Sequence, residues 1–109
     1  MITSTSNPQV KNLQQLGRKA KLRNEQDIFL VEGTKMYLEA PAERIRKVYL
    51  SQSLYEEKGE SFVKGHDVEI LEDRVFAAAC DTKTPHGVLC IVQQYHYRLE
   101  DLLKKKNPL

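Results

Sequence analysis

The sequence predicts a small α/β domain, a three-layer α/β/α sandwich with helices on both faces of a sheet of about four strands. Four short apolar segments have the composition of strands, and segments with helical periodicity lie between them. The connections between successive strands are about 12 to 17 residues long, enough for a helix that returns the chain to a parallel neighbour. The 109 residues suffice for one such domain with one modest core. The pattern alone therefore favours an all-parallel sheet.

The first helix is predicted to begin at Asn7-Pro8, because asparagine caps helix N-termini and proline suits the first helical position. Val10, Leu13 and Leu16 follow at the spacing of a buried helical stripe. The polar segment 18–27 that follows is predicted to be a frayed helix end or a loop.

Four strands are predicted after this helix. The first is short, apolar and bounded by charged residues, which is typical of a central strand. A short helix over 35–39, stopped by Pro41, follows that strand. The predicted strands are 28–32, 45–50, 68–71 and 88–94.

Two more helices have recognisable starts. Ser53 and Glu56 are predicted to form a capping box for the helix after the second strand, which would end near Gly59 or Gly65. Asp73 is the predicted cap of the helix before the fourth strand.

Composition excludes several classes of protein. No apolar run approaches the roughly 20 residues of a membrane span, and no signal peptide is visible, so we expect a cytoplasmic protein without a membrane partner. Cys80 and Cys90 lie in apolar segments and are expected to be free, buried thiols. No closely spaced Cys/His pairs predict a zinc site.

The distribution of charge is uneven. Residues 1–24 carry five cations and no carboxylate, whereas the rest of the chain is close to balanced. Such an arm predicts a polyanionic partner, most often nucleic acid, although a cationic face can also serve solubility alone. The arm has no aromatic residue for stacking bases, so it would contact phosphates. Its cations are Lys11, Arg18, Lys19, Lys21 and Arg23.

The search for catalytic motifs is negative: the chain has no P-loop, no G-x-G-x-x-G, no H-E-x-x-H and no G-x-S-x-G. His66, His86 and His96 lack the spacing of metal ligands. Glu32 closes an apolar strand, where a carboxylate needs partners. We expect it to accept N–H groups of the next helix or to pair with a cation of the first helix; direct contact with a substrate is the alternative.

The order of these segments resembles the N-terminal substrate-binding domain of the TrmH/SpoU family of RNA 2′-O-ribose methyltransferases. The resemblance runs through 2–33, 45–51 and 84–92. Its opening positions here are Ser4 or Ser6, Asn7, Lys11, Leu13 and Leu16, Arg23, Phe29, and Glu32-Gly33. The later turn is Thr84, Pro85, His86 and Gly87.

The resemblance implies a fold like that of ribosomal proteins that bind kinked RNA, with a mixed sheet in place of the all-parallel one. It implies that 1–97 is an RNA substrate-binding domain and that 98–109 is a linker towards a knotted C-terminal domain. In the family that second domain binds S-adenosylmethionine, forms the homodimer and transfers the methyl group. This chain would then have no catalytic residue and no cofactor or metal of its own, and would be monomeric.

The resemblance also implies which residues face RNA, ribosomal RNA more than transfer RNA. The implied set is Asn7, Lys11, Arg18, Lys19, Lys21, Arg23, Glu32, Gly33, Thr84, Pro85, His86 and Gly87. Two alternatives stay open. One is a stand-alone RNA-binding protein of this fold, although the end at Asn107-Pro108-Leu109 looks like an interruption. The other is a metabolite-binding α/β domain, which the lack of a glycine-rich phosphate loop disfavours.

Overall fold

A computed structural model describes residues 1–80 and 87–94, which form five α-helices and a four-stranded sheet. Two short 3₁₀ turns, Ala42–Arg44 and Glu60–Val63, complete the described structure. The elements are α1 (Pro8–Arg18), α2 (Ala20–Gln26), β1 (Ile28–Glu32), α3 (Thr34–Glu39), β2 (Ile45–Ser51), α4 (Gln52–Lys58), β3 (Val68–Leu71), α5 (Asp73–Cys80) and β4 (Val88–Gln93). Within these residues, no helix combines the length and the apolar character needed to cross a membrane.

The sheet is mixed, with the strand order β1-β4-β2-β3. Strand β4 is antiparallel to both β1 and β2, while β2 and β3 are parallel. The all-parallel expectation is therefore wrong and the mixed sheet is confirmed. Strands β1, β2 and β3 point the same way, so their carboxyl ends share one end of the sheet, where β4 begins.

Strand β1 lies at an edge of the described sheet and not at its centre, which corrects the prediction. Strand β1 is apolar because helices cover both of its faces, and not because it is central in the sheet. Leu30 packs against the core on one face, and Phe29 and Val31 pack against the core on the other.

Two apolar cores flank the sheet, as the predicted sandwich requires. The first lies beneath α1 and α5 and includes Leu13, Tyr49 and Phe76. The second lies beneath α3 and α4 and includes Tyr37 and Leu50. The helices therefore form a layer on each face, and the predicted architecture is confirmed.

The predicted start of α1 is confirmed in detail. The Asn7 side-chain oxygen accepts a hydrogen bond from the Gln9 N–H at 2.8 Å, and proline occupies the first turn. Val10, Leu13 and Leu16 are at most 1% exposed. The residues after α1 are not frayed, because α2 forms there from strong helix formers despite its lack of a buried stripe.

The predicted starts of α4 and α5 are corrected. Ser51 caps α4, since its hydroxyl accepts from the Leu54 N–H at 3.2 Å. Ser53 lies inside the first turn and donates its N–H to a carboxylate oxygen of Asp73 at 2.9 Å. Asp73 is itself the first residue of α5, so it serves α4 and not its own helix. The end of α4 at Gly59, where φ is 78°, is as predicted.

Candidate nucleic-acid interface

The basic segment, defined as Lys11, Arg18, Lys19, Lys21 and Arg23, follows α1, α2 and the residue between them. Lys11 and Arg18 are seven residues apart on α1, so they share the face opposite the buried stripe, and both are exposed. Lys19 separates the two helices in an extended conformation, and Lys21 is exposed on α2. Four cations of the basic segment are therefore exposed to solvent.

Three of these cations have no carboxylate partner in the described structure. Lys11, Lys19 and Lys21 form no ion pair with any residue in 1–80 or 87–94. Even Glu25, which stands four residues after Lys21, does not pair with it. Their charge is therefore available to phosphate oxygens, which bind ammonium groups through strong charge-assisted hydrogen bonds.

Arg23 has a structural contact that the sequence did not indicate. Its side chain is half-buried, and Nη1 donates to the carbonyl oxygen of Leu16 at 2.5 Å. That carbonyl belongs to the last turn of α1, where the backbone lacks intrahelical partners. Arg23 therefore fastens α2 to the end of α1, and its contact with phosphate stays a prediction.

Glu32, Gly33 and Gly87 lie together at what we call the β1–β4 corner. The Gly33 N–H donates to the carbonyl of Val88 at 3.0 Å, which joins the end of β1 to the start of β4. Gly33 has φ of 104° and Gly87 has φ of 83°, both in the region that favours glycine. A Cβ at Gly87 would also lie 3.1 Å from the Ser51 hydroxyl oxygen and from two Leu54 side-chain carbons, so a side chain here would crowd its neighbours.

The predicted residues do not form one continuous site. The segment with Lys21 and Arg23 leads into the first residue of β1, whereas the β1–β4 corner lies at the last, about 13 Å further along the strand. Any single RNA that touches both must span the length of β1. The predicted residues Thr84, Pro85 and His86 lie outside the described residues.

Asn7 uses its side-chain oxygen to cap α1 and is half-buried, so its first role is structural. Glu32 is half-buried on the face of the sheet that α1 and α5 cover. Burial, together with the negative charge of Glu32, raises the pKa of the Cys80 thiol to about 12.

Both thiols are free, as predicted, but Cys80 is half-buried and not fully buried as expected. Neither thiol is suited to nucleophilic chemistry. Burial raises the pKa of Cys90 to about 12, and Cys90 is fully buried in β4. Thiols with pKa values this high stay protonated at neutral pH, and the protonated form is a poor nucleophile.

The described residues include no group of histidine, cysteine and carboxylate side chains that could hold a metal ion. His66 instead lies edge-on to the Tyr37 ring, with ring centroids 6.0 Å apart. We find no catalytic constellation among residues 1–80 and 87–94.

Sequence reasoning missed the arginines at the opposite end of β4 from the corner. Arg44 donates from Nη1 to the Gln94 carbonyl at 3.2 Å, and Arg46 donates from Nη2 to the Gln93 side-chain oxygen at 2.5 Å. Arg44 precedes β2 and Arg46 is its second residue. At such positions the sequence does not indicate which face of the sheet a side chain reaches. A cleft of about 390 Å³ opens between Glu43, Arg44 and the two glutamines.

The comparison with known proteins identifies the family. Residues 7–90 match the model of the MRM3-like substrate binding domain. The chain belongs to this family. The match covers α1 through the first part of β4, and it includes the basic segment and the β1–β4 corner. No curated protein matches the chain.

Solved structures of RNA methyltransferases share the fold. The AdoMet-bound rRNA methyltransferase from Sinorhizobium meliloti aligns with a TM-score of 0.72 and 25% identity over 92% of this chain and 38% of its own. An RNA 2′-O ribose methyltransferase aligns with a TM-score of 0.68 and 21% identity, over 90% and 39% of the two chains. A putative TrmH-family RNA methyltransferase from Porphyromonas gingivalis gives 0.60 and 23%, over 85% and 37%.

These matches confirm the TrmH/SpoU resemblance that the sequence motifs indicated. They also show that this chain spans about two fifths of the length of those proteins. The chain is thus a member of a family of substrate-binding domains.

Proposed function

We propose that this chain is the RNA-recognition domain of an S-adenosylmethionine-dependent RNA 2′-O-ribose methyltransferase that acts on structured ribosomal RNA. Membership of the substrate-binding family and the likeness to the Sinorhizobium meliloti enzyme support the proposal. The observation that carries it is the set of three exposed lysines, on α1, on α2 and between them, that form no ion pair within residues 1–80 and 87–94.

The geometry suits phosphate contact and not chemistry. Lys11, Lys19 and Lys21 can neutralise phosphates along one face, while the rigid sheet beneath α1 fixes their positions. Contacts of this kind set the register and orientation of a nucleic acid without reading its sequence. Structured RNA is recognised largely by shape, so a rigid cationic face can select a folded region that holds the target ribose.

The methyl transfer itself is assigned to another domain of the intact protein. S-adenosylmethionine would bind there and supply the methyl group for the ribose 2′-hydroxyl. The present chain contributes by holding RNA near that domain, because tethering raises the effective concentration of the correct site. By itself the chain is proposed to be monomeric.

Salt dependence of binding tests the RNA proposal. If the chain contacts about four phosphates of a labelled RNA stem-loop, log affinity should fall with log salt at a slope of about −3. The variant Lys11→Glu/Lys21→Glu should lose two of these phosphate contacts. The slope should then become shallower, about −1.5, and the affinity for RNA should fall at least about tenfold.

The variant Lys58→Glu/Lys64→Glu makes the same change of charge on exposed lysines at the end of α4 and beyond it. It should bind nearly as the parent does. Equal losses in both variants would show that only net charge matters, and absence of binding by the parent at low salt would refute the proposal.

The proposal for the whole polypeptide has a separate test. Sequencing the gene beyond the codon for Leu109 should find an open reading frame with a second domain that carries a glycine-rich cofactor motif. A stop codon directly after Leu109 would leave the alternative, an RNA-binding protein without an attached enzyme.

A further inference from the structure

A β-bulge in β2 changes the direction of one arginine. Ile45 pairs with Val92 and Lys47 pairs with Ile91, so Arg46 is an extra residue on its strand. Bulges of this kind re-aim side chains and are frequent beside functional sites. Without the bulge, Arg46 and Lys47 would point to opposite faces of the sheet.

Both side chains instead reach the face that α1 and α5 cover. Lys47 Nζ lies 5.8 Å from the centroid of the Tyr49 ring, which belongs to the core beneath those helices. Arg46 bonds to Gln93, and Gln93 stands two residues after Ile91, which packs on that same core. The bulge therefore brings Arg46 to the same face as the basic segment.

The two neighbouring cations differ in their partners. Lys47 Nζ lies 3.6 Å from a carboxylate oxygen of Asp67 and 3.9 Å from one of Glu69, so its charge is compensated. Arg46 is exposed and forms no ion pair with the residues in 1–80 or 87–94; the contact that holds its guanidinium is a neutral amide. Arg46 is thus oriented without being neutralised.

Gln94 connects this arginine to the basic segment. Its Nε2 donates at 2.9 Å both to the Asn24 side-chain oxygen in α2 and to the carbonyl of Ile28. The end of β4, with Gln93 and Gln94, is therefore fixed between α2 on one side and β2 on the other. Across the sheet, β2 is two strand spacings from β1, about 10 Å.

We propose that Arg46 is part of the RNA-binding surface and takes a phosphate of the strand that the basic segment also contacts. This inference rests on the proposed function and extends it from α2 across the ends of β1 and β4 to β2. The separation of β1 and β2, about 10 Å, is short enough for a few nucleotides of one RNA strand to span.

The test uses Arg46→Gln in the 109-residue chain and the same labelled RNA stem-loop over a series of salt concentrations. Loss of one phosphate contact should lower the magnitude of the salt slope by about 0.7 and weaken binding at low salt about fivefold. Arg46→Lys, which keeps a cation at the bulge, should restore most of the slope.

Arg74→Gln is the matched control, because Arg74 is exposed at the start of α5 and its Nε lies 3.2 Å from a carboxylate oxygen of Glu72. It should leave the slope unchanged. An unchanged slope for Arg46→Gln, while Lys11→Glu/Lys21→Glu reduces it, would overturn this inference and leave the proposed function standing. A parent chain that binds no RNA would overturn both.

Discussion

At the scale of single residues, Asp73 joins the beginnings of two helices. Its carboxylate accepts hydrogen bonds from the N–H and the hydroxyl of Ser53, and these bonds lower the pKa of Asp73. The N–H of Ser53 is one of the first-turn groups of α4 that lack an intrahelical partner. One residue of α5 therefore completes the capping of α4, beside the cap that Ser51 supplies.

Replacing Asp73 by alanine should lower the free energy of unfolding by about 1 kcal/mol, the usual effect of losing a capping side chain. Because the folded pKa is lowered, this stabilisation is present above the unfolded value of about 3.9 and is lost as pH falls through the folded value. The free energies of unfolding of the parent and Asp73→Ala, measured by denaturant melts, should therefore differ at pH 7 and become equal in acid.

Glu39→Ala is the control for that measurement, since Glu39 is exposed and has no such contact in the described structure. It should change stability by less than about 0.5 kcal/mol. The free energies of unfolding of Asp73→Ala and the parent should approach each other below about pH 4. If they do not, the role of the ionised carboxylate is contradicted.

The sequence identified Ser53 and Asp73 as helix-start residues but not as partners. Both residue types favour helix beginnings, and that local preference is visible in any sequence. Their hydrogen bond joins residues 20 positions apart, and only the parallel pairing of β2 with β3 brings the two helix starts together. The same limit applies to Arg23, whose contact depends on the angle between α1 and α2.

At the scale of elements, the first two helices show what local signals can and cannot decide. Asn7-Pro8 and the apolar stripe predicted α1 correctly because capping and periodicity act within one helix. Helix α2 has no buried residue, so periodicity could not reveal it. The edge position of β1 and the bulge at Arg46 were also beyond prediction, because they depend on the strand order and on pairing with β4.

The cap of α1 also allows the two roles of Asn7 to be separated. Asn7→Ala should lower the free energy of unfolding by about 1 kcal/mol, whereas Asn7→Asp should keep stability close to that of the parent because aspartate caps equally well. Thermal melts of both variants measure this. If Asn7 also contacts RNA, the Asn7→Asp variant should retain its melting temperature and bind RNA more weakly.

Thr3→Ala serves as the control, since Thr3 is exposed, precedes the helix and makes no side-chain hydrogen bond within the described residues. The structural role of Asn7 would be contradicted if alanine at position 7 left the melting temperature unchanged.

At the scale of the whole molecule, the layers and the cationic segment could be predicted from the sequence, whereas the arrangement of the candidate site could not. The α/β/α layers follow from the alternation of strands and helices, and the cationic N-terminal segment is visible in composition alone. The spatial grouping of the predicted RNA-binding residues could not be derived from the sequence, because these residues lie at opposite ends of β1. The contribution of β2 to the cationic face also needed the structure, since it arises from one inserted residue in a strand.

The position of β4 has a consequence for how the domain forms. Strands β1 and β2 pair with β4 and not with each other, so the last described strand of the chain is an interior strand of the sheet. When residues 1–86 have been synthesised, β1 and β2 are both complete. The hydrogen bonds that connect them through β4 cannot yet form. At about 5 to 20 residues per second, the newly made α1 and β1 wait several seconds for their partner strand.

A chain truncated after residue 86 should therefore show no cooperative unfolding transition, whereas a chain ending at residue 97 should keep the transition of the full protein. Circular dichroism melts of the two truncations measure this, and cooperative melting of the shorter one would contradict it. Until β4 has been made, β1 and β2 each keep an unpaired edge where β4 will bind, and unpaired strand edges favour aggregation. The strand order thus means that the sheet cannot be completed before β4 has been synthesised.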